Sequence, residues 1–312
     1  MQTSENTAVI DIGTHSVLLL IARKSQSGRI EIVHQASAVG RLGAGLTLNG
    51  NIADREVNSV LAVLRDFSET AQRFRARSVH LMGTEVFRKA SNGKQVADFF
   101  SRELRHPMKI LSAEEEALFA FAGAVTGLPS REEPILLIDV GGGSTEFVLG
   151  KDRRVREWSS IPIGAFILAQ NEHLRETLSP GLQEKLNLEI KQYLAKIPFS
   201  AGIKRHTVVI ASGGTAGTLA ALSLRMKEYD SKKVEGLVLP RNRIQQLFDR
   251  INALSADERR RLPGMEKGRE DVILYGILIY LNTMNRFGLS ALQLTDRGAR
   301  FGYMSYVLNQ GS

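Results

Sequence analysis

Two stretches of the chain share one plan. The first is Ile135-Leu136-Leu137-Ile138-Asp139-Val140-Gly141-Gly142-Gly143-Ser144-Thr145-Glu146-Phe147-Val148-Leu149. The second, nearer the start, is Ala8-Val9-Ile10-Asp11-Ile12-Gly13-Thr14-His15-Ser16-Val17-Leu18-Leu19-Leu20-Ile21. Each is an apolar β-prone run, then Asp-x-Gly, then small and hydroxyl-bearing residues, then a second apolar run. That order reads as strand, tight turn, strand. A unit that recurs within one chain points to a duplicated architecture. Two similar lobes are therefore expected, one built around each hairpin.

The remainder alternates between strand-like and helical patterns. Strands are expected at Ile30–Gln35, Ser78–Met82, Lys109–Leu111, Thr207–Ala211 and Ala291–Leu294. Helices are expected at Ala53–Phe74, Lys94–Leu104, Ala113–Thr126, Gly181–Lys196, Gly214–Ser223, Arg241–Ala253 and Glu270–Phe287. Such alternation argues for an α/β protein with largely buried sheets. The stretch Gly127–Pro134 carries two prolines just before the second hairpin, so the lobes are expected to be 1–128 and 129–312.

A glycine-rich turn lets backbone N–H groups approach an anion closely, because no Cβ stands in the way. Thr14, Ser16, Ser144 and Thr145 add hydroxyl donors to the two turns. Asp11 and Asp139 end the strands that lead into them. A carboxylate so close to a phosphate needs a cation between the two, and hydrated Mg²⁺ suits one or two carboxylates plus phosphate oxygens. In a single hairpin an Asp-Gly pair does no more than close a turn; two matching copies favour phosphate binding. A third small-residue turn, Ala211-Ser212-Gly213-Gly214-Thr215, follows a strand and opens a helix, whose first turn offers free N–H donors and a positive dipole end.

Two further segments carry charge. In Ser112-Ala113-Glu114-Glu115-Glu116-Ala117, Ser112 and Glu115 have the spacing of a capping box. Glu114 aligns with Leu118, Phe121 and Val125, at the edge of a buried stripe. Glu116 shares a face with the small residues Ala120, Gly123 and Ala124. Two readings of Glu116 are open: a general base toward water, or an acid in a solvated first turn. Arg88, in Gly83-Thr84-Glu85-Val86-Phe87-Arg88, either forks onto phosphate oxygens or is a surface charge. The same pair of readings holds for Arg269, Arg297 and Arg300.

Composition excludes several chemistries. Among 312 residues there is no cysteine, so disulfides, zinc-thiolate sites and thiol nucleophiles are ruled out. The six histidines are scattered without metal-ligand spacing. There is no Walker A pattern and no G-x-S-x-G elbow. The apolar run after residue 7 is interrupted by Asp11, Gly13, Thr14, His15 and Ser16, so neither a secretory leader nor a membrane span is expected. A cytoplasmic location and no membrane partner are the corresponding expectations. The net charge of +8 has two readings, a polyanionic partner or no more than a basic surface. Small basic clusters stand at Arg73–Arg77, Lys151–Arg156 and Arg259–Arg261. Aromatics are not interleaved with them, so no specific nucleic-acid partner is expected.

The ordered set of motifs resembles a known family. Asp11-Ile-Gly-Thr-His-Ser16, Gly83-Thr84 with Phe87-Arg88 and Asn92, Ser112-Ala-Glu-Glu-Glu116-Ala, Ile138-Asp139-Val-Gly141-Gly-Gly-Ser144-Thr145-Glu146, Ser212-Gly213-Gly-Thr215, and Leu262-Pro-Gly with Arg269 together look like the exopolyphosphatase/guanosine-pentaphosphate phosphohydrolase (Ppx/GppA) family. The resemblance spans nearly the whole chain, and the Asp-x-Gly-Gly-Gly-Ser-Thr-Glu string is its most specific piece. It implies two actin-like, ribonuclease H-like lobes of the sugar kinase/heat-shock/actin superfamily, with the active site in the interlobe cleft. It implies removal of terminal orthophosphate from inorganic polyphosphate, guanosine pentaphosphate or both, by Mg²⁺-assisted in-line attack of a water activated by glutamate.

By position, the resemblance makes Glu116 the activating glutamate and Asp139 a second catalytic group that holds the metal or orients the water. Gly13, Thr14, His15, Ser16, Arg88, Gly141, Gly142, Gly143, Ser144, Thr145, Gly213, Gly214, Thr215, Arg269 and Arg300 become phosphate ligands. Asp11, Asp139 and Glu146 become metal ligands, with Mg²⁺ as the ion, Mn²⁺ as its alternative, and no organic cofactor. The resemblance also allows a homodimer, and has the last helix, about 301–312, return to the first lobe. The chain departs from the family pattern at His15, where Asn is usual, and at Phe301, where Glu is usual. Two other functions fit the turns: a kinase or ATPase of the same superfamily, for which the chain length leaves little room, and a non-hydrolytic polyphosphate or nucleotide sensor.

Overall fold

In a computed structural model, residues 5–26, 28–46, 50–126, 133–151, 153–172, 177–198, 203 and 206–310 are described. The expected lobe boundary at 128/129 lies outside them. The chain divides into two compact units, one of Met1–Gly123 with Ala299–Ser312, the other of Ala124–Gly298.

The first unit contains β1 (Asn6–Ile12), β2 (Ser16–Lys24), β3 (Ile30–Val39), α1 (Asp54–Arg73), β4 (Ala76–Gly83), α2 (Glu85–Lys89), α3 (Gly93–Leu104), β5 (Met108–Ile110) and α4 (Ala113–Thr126), the end of which passes into the second unit. Its sheet runs β3-β2-β1-β4-β5, with β1 antiparallel to β2 and parallel to β4. Side chains alternate between the two faces of a strand. Ala8, Ile10 and Ile12 of β1 and Val17, Leu19 and Ile21 of β2 join one core cluster with Val60 and Leu64 of α1 and Phe100 of α3. The intervening Val9 and Leu20 are also fully buried, on the opposite face. A sheet covered on both faces needs nearly continuous apolar strands, which is why these runs hardly alternate with polar residues.

The second unit contains β6 (Ile135–Val140), β7 (Thr145–Lys151), β8 (Arg154–Ile161), α5 (Ala165–Asn171), α6 (Pro180–Leu194), β9 (Val208–Ser212), α7 (Gly214–Ser223), α8 (Ser231–Val234), β10 (Val238–Pro240), α9 (Arg241–Asn252), α10 (Ala256–Arg260), α11 (Ile273–Phe287) and β11 (Ala291–Leu294). The chain ends in α12 (Ala299–Gln310), which belongs to the first unit and packs on β1 and β2. The second sheet runs β10-β11-β9-β6-β7-β8. Its β8-β7-β6-β9 portion repeats β3-β2-β1-β4, with the antiparallel hairpin and the parallel neighbour in the same places. The duplication read from the two hairpins is thus present in the sheets themselves.

The apolar run Val272–Leu281 forms the buried helix that its composition suggests. Every residue of α11 from Ile273 to Met284 is buried, and the helix packs against α5, α6, α7 and α9. Its N-terminus lies three residues later than expected. Glu270 is not in the helix; it accepts hydrogen bonds from Arg260 and from the Gly268 amide.

Other expectations need correction. Of the basic cluster Lys151–Arg156, Lys151 ends β7 and Arg154 and Arg156 lie in β8, the outermost strand, where charges protect an open edge. Arg259–Arg261 is not a continuous charge on the surface. Arg259 is fully buried, donating through Nε to the Leu254 carbonyl at 3.2 Å and through Nη1 to the Glu270 carbonyl at 2.6 Å. Glu114 does not border a buried stripe, because both it and Leu118 are exposed. Among the described residues no helix is long and apolar enough to cross a membrane.

Candidate active site

The two hairpin turns share the same closing bond. In the first, the Gly13 amide donates to the Ser16 carbonyl at 2.9 Å; in the second, the Gly141 amide donates to the Ser144 carbonyl at 3.0 Å. In each turn two successive carbonyls are also engaged, one position later in the first turn than in the second. The Thr14 carbonyl accepts from the Gly43 amide, and the His15 carbonyl from the amides of Gly40 and Arg41. The Gly141 carbonyl accepts from the Ala165 amide, and the Gly142 carbonyl from those of Phe166 and Ile167. A trans peptide is planar, so its N–H points opposite to its C=O. The amides of His15 and Ser16 therefore face away from the 40–43 loop, and those of Gly142 and Gly143 face away from α5. Successive amides in a small-residue turn are the kind of donor that receives an anion.

The hydroxyls are less available than the sequence suggests. Thr145 is fully buried and donates to the Ile163 carbonyl at 2.7 Å. The Thr14 methyl packs where a side chain on Gly43 would stand. His15 Nδ1 lies 3.2 Å from Ser16 Oγ. Thr215, nearly buried, packs against Gly276 of α11.

In the first unit, α2 and α4 bring Arg88 and Glu116 together. Arg88 Nη1 lies 2.8 Å from Glu116 Oε2 and 2.7 Å from the Leu111 carbonyl, and Nη2 lies 2.7 Å from Glu85 Oε2. Burial opposes the charge on Arg88, but Glu116 and Glu85 outweigh it and hold the guanidinium pKa above its ordinary value. The capping box read at Ser112 is formed: the Glu115 amide donates to Ser112 Oγ, and the Ser112 amide donates to the Glu115 carboxylate. That cap starts α4 at a defined residue and so sets where Glu116 projects. Ala120, Gly123 and Ala124 on the face of Glu116 are buried.

In the second unit, Asp139 lies opposite Glu146 on β7 and beside Ser212 on β9. Glu146 is buried and accepts from Ser160 Oγ at 2.9 Å. Glycines border the Asp139 carboxylate on two sides. A Cβ on Gly213 would stand 2.6 Å from Oδ1, and one on Gly298 would stand 3.4 Å from Oδ2. The buried Tyr280 hydroxyl donates to the Ser212 carbonyl at 2.6 Å; burial and then the charge of Asp139 push its pKa well above the ordinary value, which keeps it a neutral donor.

The third turn opens α7. Gly213 has φ +90°, and the Arg269 guanidinium lies directly over Gly214, where a Cβ would stand 2.2 Å from both terminal nitrogens. Glu266 pairs with Arg269 Nε. A cation thus packs directly on the positive end of a helix, its charge offset by Glu266. Arg297 bonds Thr126 Oγ1 at 3.2 Å and lies 3.5 Å from Glu235. Arg300 belongs to the first unit and donates to Gln35 Oε1 at 3.0 Å, about 13 Å along β3 from Val39, the partner of Ser16. Phe301 is a buried core residue. Asp11, in β1, lies beside Leu18 and Met82.

Among the described residues no three His, Cys, Asp or Glu side chains converge as a self-sufficient metal site. A lone carboxylate such as Asp139 still suits Mg²⁺, which keeps waters and takes further ligands from phosphate.

A family model described as the Ppx/GppA phosphatase family matches residues 20–310. The chain belongs to this family. Among its Ppx/GppA relatives, Exopolyphosphatase 2 of Mycobacterium tuberculosis is 29% identical over 87% of this chain and 88% of its own. A guanosine-5'-triphosphate,3'-diphosphate pyrophosphatase of Aeromonas hydrophila is 26% identical over 99% of this chain, which spans only 60% of that relative. The crystal structure of the Ppx/GppA member from Aquifex aeolicus superposes with a TM-score of 0.81 at 28% identity, over 99% of both chains. An exopolyphosphatase structure from Cytophaga hutchinsonii gives 0.89 at 22% identity over 98% of both, a likeness of fold.

Three residues at these positions escaped the sequence reading. Glu85 and Glu266 each stand three residues before the arginine they pair with, a helical i,i+3 spacing that would have flagged both. Tyr280 lies within an apolar run, and nothing in that run reveals where its hydroxyl points.

Proposed function

We propose that this protein is a phosphohydrolase that releases terminal orthophosphate from inorganic polyphosphate, guanosine pentaphosphate or both. The observation that carries this reading is the close pairing of Glu116 with Arg88, a base and a phosphate-binding cation held side by side on two helices. In this reading Glu116 takes a proton from water as that water attacks the terminal phosphorus in line. The phosphorus–oxygen bond to the rest of the chain breaks, leaving orthophosphate and a substrate one phosphate shorter. Arg88 binds the oxygens of the terminal group. The turns around Gly13–Ser16 and Gly141–Thr145, and Arg269 at the start of α7, would neutralise the other phosphates. Preorganised donors of this kind carry most of the catalysis in phosphoryl transfer. Asp139 would hold Mg²⁺ together with waters and phosphate oxygens, and the bound ion would offset phosphate charge.

The experiment is phosphate release measured side by side on long polyphosphate, short polyphosphate and guanosine pentaphosphate, with and without Mg²⁺. Release that requires Mg²⁺ from at least one of them is expected, and release from none would end the proposal. Glu116→Gln is expected to keep polyphosphate binding and lose most turnover, by a factor on the order of 10² to 10⁴. Turnover like that of the unaltered enzyme would remove Glu116 from the mechanism.

A further inference from the structure

We infer that Glu85 is a positioning residue that holds Arg88 in place while the other edge of its guanidinium passes from Glu116 to a substrate phosphate. The inference rests on the phosphohydrolase reading above and adds a residue to it. Arg88 presents a rigid fork of N–H donors. One edge, Nη2, is held by Glu85 at 2.7 Å; the other, Nη1, is shared by the Leu111 carbonyl and Glu116. All three charged side chains are largely enclosed, at 13% exposure for each carboxylate and 19% for the arginine. With Lys89 3.4 Å from Glu85, two carboxylates and two cations cancel, so the cluster offers a polyanion no net positive charge unless one carboxylate gives way.

Glu116 is the one able to do so. It reaches Arg88 from another helix, whereas Glu85 lies one turn before Arg88 on α2 itself. An arriving phosphate competes with Glu116 for Nη1. With Glu85 on Nη2 and Leu111 on Nη1, the fork keeps its orientation through the exchange. Glu116 is left without its cation and beside an anion, and both changes raise its affinity for a proton. The resting ion pair thereby becomes a base when phosphate has taken its place. The ordinary alternative is that Glu85 merely stabilises the first turn of α2 and pairs with Lys89 at 3.4 Å.

The test compares Glu85→Gln, Arg88→Ala and the unaltered full-length enzyme. Three quantities are read: Kd for labelled long-chain polyphosphate, KM against kcat for phosphate release, and Tm. Glu85→Gln is expected to raise Kd and KM roughly tenfold, as for loss of one charge-assisted hydrogen bond. Its kcat should change by less than about threefold and its Tm should hold. A Glu85→Gln protein with lowered Tm but Kd and KM within twofold of the unaltered enzyme would overturn the inference. If Arg88→Ala raises Kd and KM while Glu85→Gln does not, only the role of Glu85 falls. If Arg88→Ala also leaves both unchanged, or the unaltered enzyme does not bind polyphosphate, the underlying reading falls with it.

Discussion

Gly213 and Gly214 are neighbours that are needed for different reasons. Gly213 has φ +90°, and a Cβ there would stand 2.5 Å from the Val140 carbonyl oxygen as well as against Asp139. Gly213→Ala combines backbone strain with a collision against backbone. It is expected to cost about 1–3 kcal/mol, read as a shift in the urea midpoint. Gly214 has ordinary backbone angles but lies under Arg269. Gly214→Ala is expected to displace the guanidinium, raising KM for phosphate release with a smaller change in stability. Both glycines stood out in the sequence as members of a third anion-binding turn. Their separate roles did not, because one depends on a strand and the other on a side chain 55 positions downstream. The same limit hid the commitment of the Thr145 hydroxyl to Ile163. A motif shows which groups could bind an anion; the tertiary approach decides which are still free.

Helices long enough to show their period were legible almost to the residue. Ala113–Thr126 and Gly214–Ser223 have the expected bounds, and α1, α3 and α9 differ by a residue or so at an end. The short elements α2, α5, α8 and β10 escaped, since three to seven residues hold too little of any period to be recognised. The charged edge strand β8 escaped because edge strands are chosen for polarity rather than for an apolar pattern. At α4 the cap was legible, and its loss has a defined consequence. Ser112→Ala removes the acceptor for the Glu115 amide and is expected to cost about 1 kcal/mol in chemical denaturation. Between α4 and α12 the contact is closer still: a Cβ on Gly302 would stand 2.0 Å from the Phe119 carbonyl oxygen. Gly302→Ala is expected to force the two helices apart and weaken the edge-on contact of Phe119 with Tyr303. The cost should be about 1–3 kcal/mol, seen as a lower Tm.

For the molecule as a whole, the duplication was the most legible feature. It requires only that two similar strings be noticed, and the two sheets follow the same order around them. Under the proposed function the excess of positive charge would act at this scale as well, attracting a polyanion before any specific contact forms. For long polyphosphate, kcat/KM is therefore expected to fall several-fold as salt rises from about 0.05 M to about 0.5 M, with kcat changing much less. A flat salt profile would mean that overall charge plays no part in capture.

The first unit is written in two pieces, with the whole of the second between them. During synthesis the ribosome completes Met1–Gly123 long before Ala299 emerges. At common elongation rates the wait is roughly ten to thirty seconds. Through that interval β1 and β2 have no α12 to pack against. The nascent chain thus carries an unsealed apolar sheet face, around Val9 and Leu20, until α12 leaves the exit tunnel. That face is where a chaperone is expected to engage it.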